Sequence, residues 1–404
     1  MDTGDTAFML IATALVMLMT PGLALFYGGM VRSKNVLSTI LQSFVCLGVV
    51  SIIWVVYGYS LAFGPDVNGL IGNLDWAGLA GVGLEPGKYS ATIPHLLFCA
   101  FQLMFAVITP ALITGTFAER VKFPAFLLFT VLWSTLVYLP VCHWVWGGGW
   151  ISGHGGLDFA GGTVIHINSG AAALVAALVF GKRKGWGKES FHPHNLTMTM
   201  LGAGILWFGW FGFNAGSALS ANGVAVNAFF TTQVATGAAL LSWLIAEWLV
   251  QGKPTTLGAA SGAIAGLVAI TPGAGFVSPI SAVFIGLVAG ALCYFAVLAK
   301  SRVGYDDALD VVGVHGVGGL WGALATGLFA TTAVNAAGKD GLFFGNPQLL
   351  GIQAMDAFTT IGYSVVVTFI ILKVVDLVIG LRVSEEEEVQ GLDLTQHSEI
   401  GYSL

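Results

Sequence analysis

Charge is what this 404-residue sequence has least of: Asp, Glu, Lys and Arg together make up 9% of it, where soluble globular domains carry about 25%. A water-soluble class is excluded by that shortage. The net charge of -6 says little about a ligand, because much of it comes from the run Glu385 to Glu388 near the C-terminus. Nothing suggests nucleic acid as a partner. Cysteine is scarce too. Cys46, Cys99, Cys142 and Cys293 show no paired spacing, so they read as small apolar packing residues and not as disulfides or a metal site. There is no His-Glu-x-x-His and no carboxylate cluster, which leaves an intramembrane metalloenzyme without its three or more ligands. No metal, no cofactor and no enzymatic activity are expected. A carbonyl filter of the Thr-Val-Gly-Tyr-Gly kind is also missing, which disfavours potassium conduction. The start, Met1-Asp2-Thr3-Gly4-Asp5, has no basic region. Either the first helix signals its own insertion or a signal peptide has been removed.

What the chain does have is apolar length. Hydrophobic residues make up 56% of the sequence, with a mean hydropathy of +0.84. Runs of about 20 residues, enough to cross a bilayer, fall at roughly 7-27, 36-63, 95-117, 124-146, 160-181, 196-216, 225-250, 257-271, 279-299, 309-332 and 352-381. The sequence therefore predicts an all-α polytopic membrane protein of eleven transmembrane helices. The stretch 257-271, short and rich in Gly and Ala, is the weakest of them. Basic residues collect on the cytoplasmic side of a membrane protein. Alternate loops hold Arg32, Lys34, Arg120, Lys122, Lys182, Arg183, Lys184, Lys188, Lys253, Lys300, Arg302 and Arg382, whereas the intervening loops hold only Lys88 and Lys339. The N-terminus is thus expected outside and the C-terminus in the cytoplasm. Glu247, Lys373 and Asp376 fall near the cytoplasmic ends of their spans, where snorkelling accounts for them.

Two histidines break the apolar pattern, His166 in the fifth span and His315 in the tenth. A titratable ring at bilayer depth is costly and persists mainly where it faces a pathway or a partner. The spans containing them are five apart, as are Ala106-Val107-Ile108-Thr109-Pro110 in the third and Val268-Ala269-Ile270-Thr271-Pro272 in the eighth. An odd offset inverts the second copy. The sequence thus predicts two inverted five-helix repeats, about 7-181 and 196-332, followed by an extra helix at 352-381 and a cytoplasmic tail at 382-404. Transporters of this architecture bind substrate near midplane at the repeat interface. His166 lies eight residues after Asp158, and His315 eight after Asp307. If each Asp sits near its helix start, both rings lie about 12 Å deep, counted from opposite sides. Side-chain contact between them is the expectation. Asp158 fits an N-cap, and Asp310 is expected to cap the tenth helix or bond neighbouring backbone.

The stretch Asp158-Phe159-Ala160-Gly161-Gly162-Thr163-Val164-Ile165-His166-Ile167-Asn168-Ser169-Gly170 closely resembles the signature of the ammonium transporter family (Amt/Mep/Rh), on its Amt branch. Matches continue through Pro21-Gly22-Leu23-Ala24-Leu25-Phe26-Tyr27-Gly28-Gly29-Met30-Val31-Arg32, through Trp207 to Ser217, and through Val314-His315-Gly316-Val317-Gly318-Gly319. The resemblance spans nearly the whole chain and implies an Amt-type fold in residues 1-381. It also implies a homotrimer in which every subunit has its own pore. On that pattern Phe105, Trp146 and Ser217 form an external recruitment site shaped by Asp158, Phe105 and Phe213 form a stacked gate, and His166 with His315 lines the pore and relays protons. The tail, which charge alone would read as a solvated terminus, is implied to pack under the trimer and respond to a PII-type regulator.

The physics of the implied substrate agrees with these assignments. Ammonium is a small cation that donates four hydrogen bonds, so a selective mouth needs π faces and acceptors. Aromatic rings offer cation-π attraction of about 0.5 to 2 kcal/mol, and a serine hydroxyl can accept a hydrogen bond. Beyond an aromatic constriction a dry pore penalises charge. Deprotonation there lets neutral ammonia pass the histidines. The expected activity is ammonium uptake across the cell (plasma or inner) membrane, with net charge movement. The alternatives are a passive, Rh-like gas channel and an ammonium sensor signalling through a cytoplasmic partner. The sensor is disfavoured because such proteins usually carry a fused signalling domain, and this chain stops about twenty residues after its last span.

Overall fold

Apolar runs become helices in hydrocarbon because every backbone N-H and C=O must be satisfied within its own segment. In the computed structural model, which describes residues 1-403, eleven apolar helices follow in chain order: α1 (Thr3–Met30), α2 (Ser33–Phe63), α3 (His95–Phe117), α4 (Phe123–His154), α5 (Gly162–Phe180), α6 (Leu196–Gly216), α7 (Gly223–Gln251), α8 (Thr256–Ile270), α9 (Pro279–Val303), α10 (Val312–Phe329) and α11 (Pro347–Val378). All but α8 are long enough to cross a bilayer. With 15 residues, α8 rises only about 22 Å. Its path continues through non-helical backbone at Thr271 to Val277, every residue of which is buried. Irregular backbone is tolerated at such depth only when protein surrounds it. Both copies of the Thr-Pro motif share one hydrogen bond, Thr109 and Thr271 each donating their hydroxyl to the carbonyl four residues earlier at 2.7 Å, but helix continues through Pro110 and ends before Pro272.

The helix starts are capped by short polar side chains, and the caps correct two expectations. It is Asp307, not Asp310, whose carboxylate caps α10, accepting from Val312 N at 2.7 Å and from the Thr116 hydroxyl at 2.8 Å. Asp310 instead pairs with Lys300 and holds a left-handed backbone, with φ of 64°. Glu247 does not snorkel. It is buried, and it accepts from both the amide and the hydroxyl of Thr255 at 2.9 Å, fixing the turn that starts α8.

Glycine decides how closely the two histidine-bearing helices approach. A Cβ on Gly170 of α5 would collide with the backbone of Gly316 in α10, so their backbones cross in direct contact. Small residues are the usual means of close packing where lipid supplies no hydrophobic drive between helices. The same device joins α1 to α6, where a Cβ on Gly202 would collide with Phe26 N. The four cysteines are buried and free.

One face gathers the basic loops and the tail. Glu119 accepts from Arg32 and Arg183, and Asp306 from Arg120 and Arg183, at 2.8 to 3.2 Å. Burial alone would push both carboxyls up, but Arg183 with Arg32 for Glu119, and Arg183 with Arg120 for Asp306, outweigh it and hold both below the usual range. The network therefore stabilises the fold at neutral pH, and that contribution is lost as pH falls through those depressed values. Beyond Arg382 the chain is folded, as α12 (Glu385–Gln390) and α13 (Leu392–His397). A capping box of Ser384 and Glu387 starts α12, which explains why four consecutive glutamates form a helix at all. Asp393 caps α2 from outside, accepting from Leu37 N at 3.0 Å and Ser38 N at 2.8 Å, while Glu388 accepts from Arg382 and from Lys184 N.

Two outcomes follow from this packing. Gly170→Val forces apart the α5 and α10 backbones, and overpacking of this kind costs about 1 to 3 kcal/mol; the purified variant should melt lower and the His166 to His315 contact should open. Asp393→Ala removes the external cap of α2, worth about 1 kcal/mol; faster limited proteolysis beyond Arg382 is the expected readout, with unchanged cleavage as the contrary result.

Candidate functional site

Four cavities lie in order from the face opposite the basic loops to the basic face; the inner three share lining residues at their junctions, and the ring pair Phe105 and Phe213 separates the first from the second. The first, about 230 Å³, is walled by Phe98, Gln102, Phe105, Trp146, Phe159 and Ser217. Trp146 stands where α4 breaks, after Val145, and its indole N-H donates to Asp158 O at 2.8 Å. Ser217 is the residue that closes α6, and its hydroxyl donates to Phe213 O at 2.8 Å, leaving its lone pairs for a donor in the cavity. The Phe105 ring stands edge-on to Trp146 at 5.8 Å.

The floor of this cavity is the pair Phe105 and Phe213, whose centroids are 4.4 Å apart. Both rings are about 1% exposed. Below them the space is narrow: one cavity of about 10 Å³ among Phe213, Trp210, His166 and His315, then another of about 10 Å³ between His315, Tyr27, Ser261 and Asp310. Each has room for roughly one water. The last cavity, about 510 Å³, opens among Arg32, Glu119, Lys300, Asp306 and Asp310 on the basic face.

In the narrow stretch the two histidines meet. His166 Nδ1 and His315 Nδ1 are 3.2 Å apart with the rings nearly parallel, at 25°. Between two neutral imidazoles one Nδ1 must donate and the other accept, so the pair exposes one acceptor Nε2 and one donor Nε2-H. His166 Nε2 has no protein partner although it is buried. The indole of Trp210 stacks beside His166 at 5.5 Å and is itself held by its N-H on Thr271 Oγ1 at 2.9 Å.

Local chain geometry explains why the rings reach each other. Both histidines sit in wide turns with hydrogen bonds to the fifth preceding residue, Gly162–Ile167 in α5 and Val312–Val317 in α10. Such π-turns gather at functional sites because they redirect side chains without breaking the helix. Asp158 fixes the first. One of its oxygens accepts from Gly161 N and Gly162 N, the other from Thr163 N and Val164 N, at 2.6 to 3.0 Å. Four donors to two oxygens is the geometry of an ionised carboxylate. Its side chain thus faces the backbone and not the cavity, so it shapes the site by position.

Of the seven residues singled out in the sequence, Phe105, Trp146, His166, Phe213, Ser217 and His315 line this series of cavities, while Asp158 lies outside it and touches it only through its carbonyl, which accepts from Trp146. Trp210 and Gln102 also line the series and were not singled out. Trp210 lies within a matched motif but carries no signal of its own, since an aromatic in an apolar run is ordinary packing. Gln102 was legible: it is an amide inside a span, 9% exposed, with an unpartnered Oε1 at the cavity wall.

Comparison with known proteins agrees along the whole length. Residues 7–402 match the Ammonium Transporter Family. An ammonium transporter of Bacillus subtilis is 59% identical, covering 100% of this chain and 99% of its own, and the ammonium transporter Amt1 of Archaeoglobus fulgidus is 49% identical over the full length of both. Among solved structures, Mep2 of Saccharomyces cerevisiae superposes with a TM-score of 0.90 at 39% identity over 95% of this chain and 91% of its own. A sensor Amt protein superposes at 0.89 with 30% identity over 98% of each. The chain belongs to the ammonium transporter family.

Proposed function

We propose that this protein takes up ammonium across a cell membrane, with its N-terminus outside and the basic face in the cytoplasm. The observation that carries the reading is the order of chemistry along one line: a cavity of π faces and acceptors, a closed aromatic pair, then a narrow apolar stretch in which the buried His166 Nε2 has no partner. Ammonium enters the cavity of Phe105, Trp146 and Ser217, where the rings attract it as a cation and Ser217 accepts a hydrogen bond. Asp158 holds the backbone on which Trp146 rests.

Passing Phe105 and Phe213 strips the ion of water, and an apolar pore with room for about one molecule favours the neutral form. Ammonia then travels past the imidazoles to the inner vestibule. Its proton has a route of its own. With His166 as the Nδ1 donor, His166 Nε2 takes up a proton, Nδ1-H passes across the 3.2 Å gap to His315 Nδ1, and His315 Nε2-H is released on the inner side. Each ring ends neutral, and one charge has crossed. A passive channel for ammonia uses the same dry stretch without this relay, and a sensor uses the same fold without flux. We further place the chain in a homotrimer with one pore per subunit, whose folded tail and basic loops form the surface for a PII-type regulator.

Proteoliposomes given an ammonium pulse test the mechanism. Inward positive current is expected in the wild type and its loss in His166→Ala combined with His315→Ala; ammonia flux with no current in the wild type would establish the passive channel, and no flux at all the sensor. Trp146→Ala removes a cation-π wall worth about 0.5 to 2 kcal/mol, so the apparent KM should rise about 2- to 30-fold. An unchanged KM in Trp146→Ala would remove the recruiting role.

A further inference from the structure

Helix α11 carries a carboxyl group that none of this uses. Asp356 is 3% exposed, and neither of its oxygens has a hydrogen-bond donor. An ionised carboxylate buried without donors is costly, and such a group takes up a proton instead. Asp158, far away in sequence but on the segment that α11 packs against, is the contrast: it has four N-H donors, and Asp356 has none.

Where Asp356 sits gives the proton a consequence. With Gln353, Thr360 and Ser364 it forms a buried polar stripe on one face of α11. Ser364 donates to Asn168 O at 2.9 Å, so the stripe faces α5. One turn before Asp356, Gln353 accepts from Leu157 N and donates to Leu157 O, both at 2.7 Å. Asp356 itself lies against Gly156 so closely that a Cβ there would collide with its Oδ2. The stripe therefore grips Gly156 and Leu157, the two residues before Asp158, whose carbonyl holds the Trp146 indole. Asp356 is thus two short steps from the recruiting cavity, outside the pore.

We infer that Asp356 is a proton-binding site whose occupancy sets the position of the Gly156 to Asp158 segment and, through it, the affinity of the cavity bounded by Trp146 and Ser217. The inference rests on the recruiting role proposed above. With the proton on, the neutral carboxyl packs against Gly156 as described. With it off, the anion needs donors, and the segment it lies against carries the Gly156 and Leu157 amides, which now serve Ile151 O and Gln353 Oε1. Drawing them in displaces the Trp146 anchor, so affinity falls as pH rises. The titratable groups that act on Asp356 are His154, the last residue of α4, and Asp158 on the segment that follows; Lys339 lies beside that segment, its amine against Gly155. The α10 side chains packed against α11, Leu320 and Ala323, are apolar.

The test uses the full-length protein in proteoliposomes. Infrared spectra across a pH titration should contain a protonated-carboxyl stretch that Asp356→Asn lacks. Uptake measured at mildly acid and mildly alkaline pH should give a wild-type KM that rises about fivefold or more with pH, the lower end of ordinary coupling between two sites. Asp356→Asn, which cannot ionise, should keep the low KM at both, and Asp356→Glu should restore the dependence. Identical infrared spectra for wild type and Asp356→Asn overturn the proton site. A pH dependence retained in Asp356→Asn overturns the coupling. The infrared arm reads the proton without any substrate, so loss of the recruiting role in the Trp146→Ala assay stays distinct from loss of this site.

Discussion

Two buried carboxylates at helix starts hold the central geometry. Asp158 gathers four backbone N-H groups at the head of α5, and Asp307 gathers Val312 N and the Thr116 hydroxyl at the head of α10. Each fixes where its helix begins, and a histidine follows eight residues later. Since the helices enter from opposite faces, the depth of each ring is set by its own cap, and the 3.2 Å contact between the rings is the joint result. Charge at a helix N-terminus is favourable there, through the exposed N-H groups and the helix dipole. The fold thus places two ionisable groups at depth where they satisfy backbone and do not face the pore.

The same caps permit the glycine crossing. Gly170 and Gly316 each follow the histidine of their helix, by four residues and by one, and backbone contact there is what brings the imidazoles within hydrogen-bond range. A Cβ on Gly170 would collide with the Gly316 backbone and push the two helices apart. The π-turns serve the ring contact from the other side, since the extra residue per turn swings His166 and His315 toward the shared seam. Rigid placement of the pair, and not their mere presence, is what the 3.2 Å contact requires.

Much of this was legible in the sequence, for physical reasons. A span must be apolar, so hydropathy finds it; an imidazole in a span is expensive, so it announces itself; and the caps lie at a fixed count from the rings. What was not legible depended on which of two similar residues reaches a given group. Asp307 and Asp310 are three apart, and only the folded turn decides that the first takes the Val312 N-H while the second pairs with Lys300. Glu247 read as a snorkelling side chain because its partner, Thr255, lies across a turn whose geometry hydropathy does not carry. The short α8 was visible as short, but not its buried continuation through Pro272. Asp356 was passed over although the signal was plain: a carboxylate inside a span, which by its cost alone warranted a question.

That cost also separates the two kinds of buried polar group in this protein. Groups with a full complement of partners, such as Asp158, Glu119 and Asp306, are tied to backbone or to arginines, and they act as structure. Groups left with an unpartnered atom, His166 Nε2 in the pore and both Asp356 oxygens behind it, keep a vacant valence for a proton. Stability argues against leaving such atoms unpaired, because each carries an uncompensated desolvation penalty of about 1 to 3 kcal/mol. Other buried polar atoms, such as Gln42 Oε1 and Tyr294 Oη, are also unpartnered, but among the buried carboxylates Asp356 stands apart from Asp158, Glu119 and Asp306 in having no donor at either oxygen.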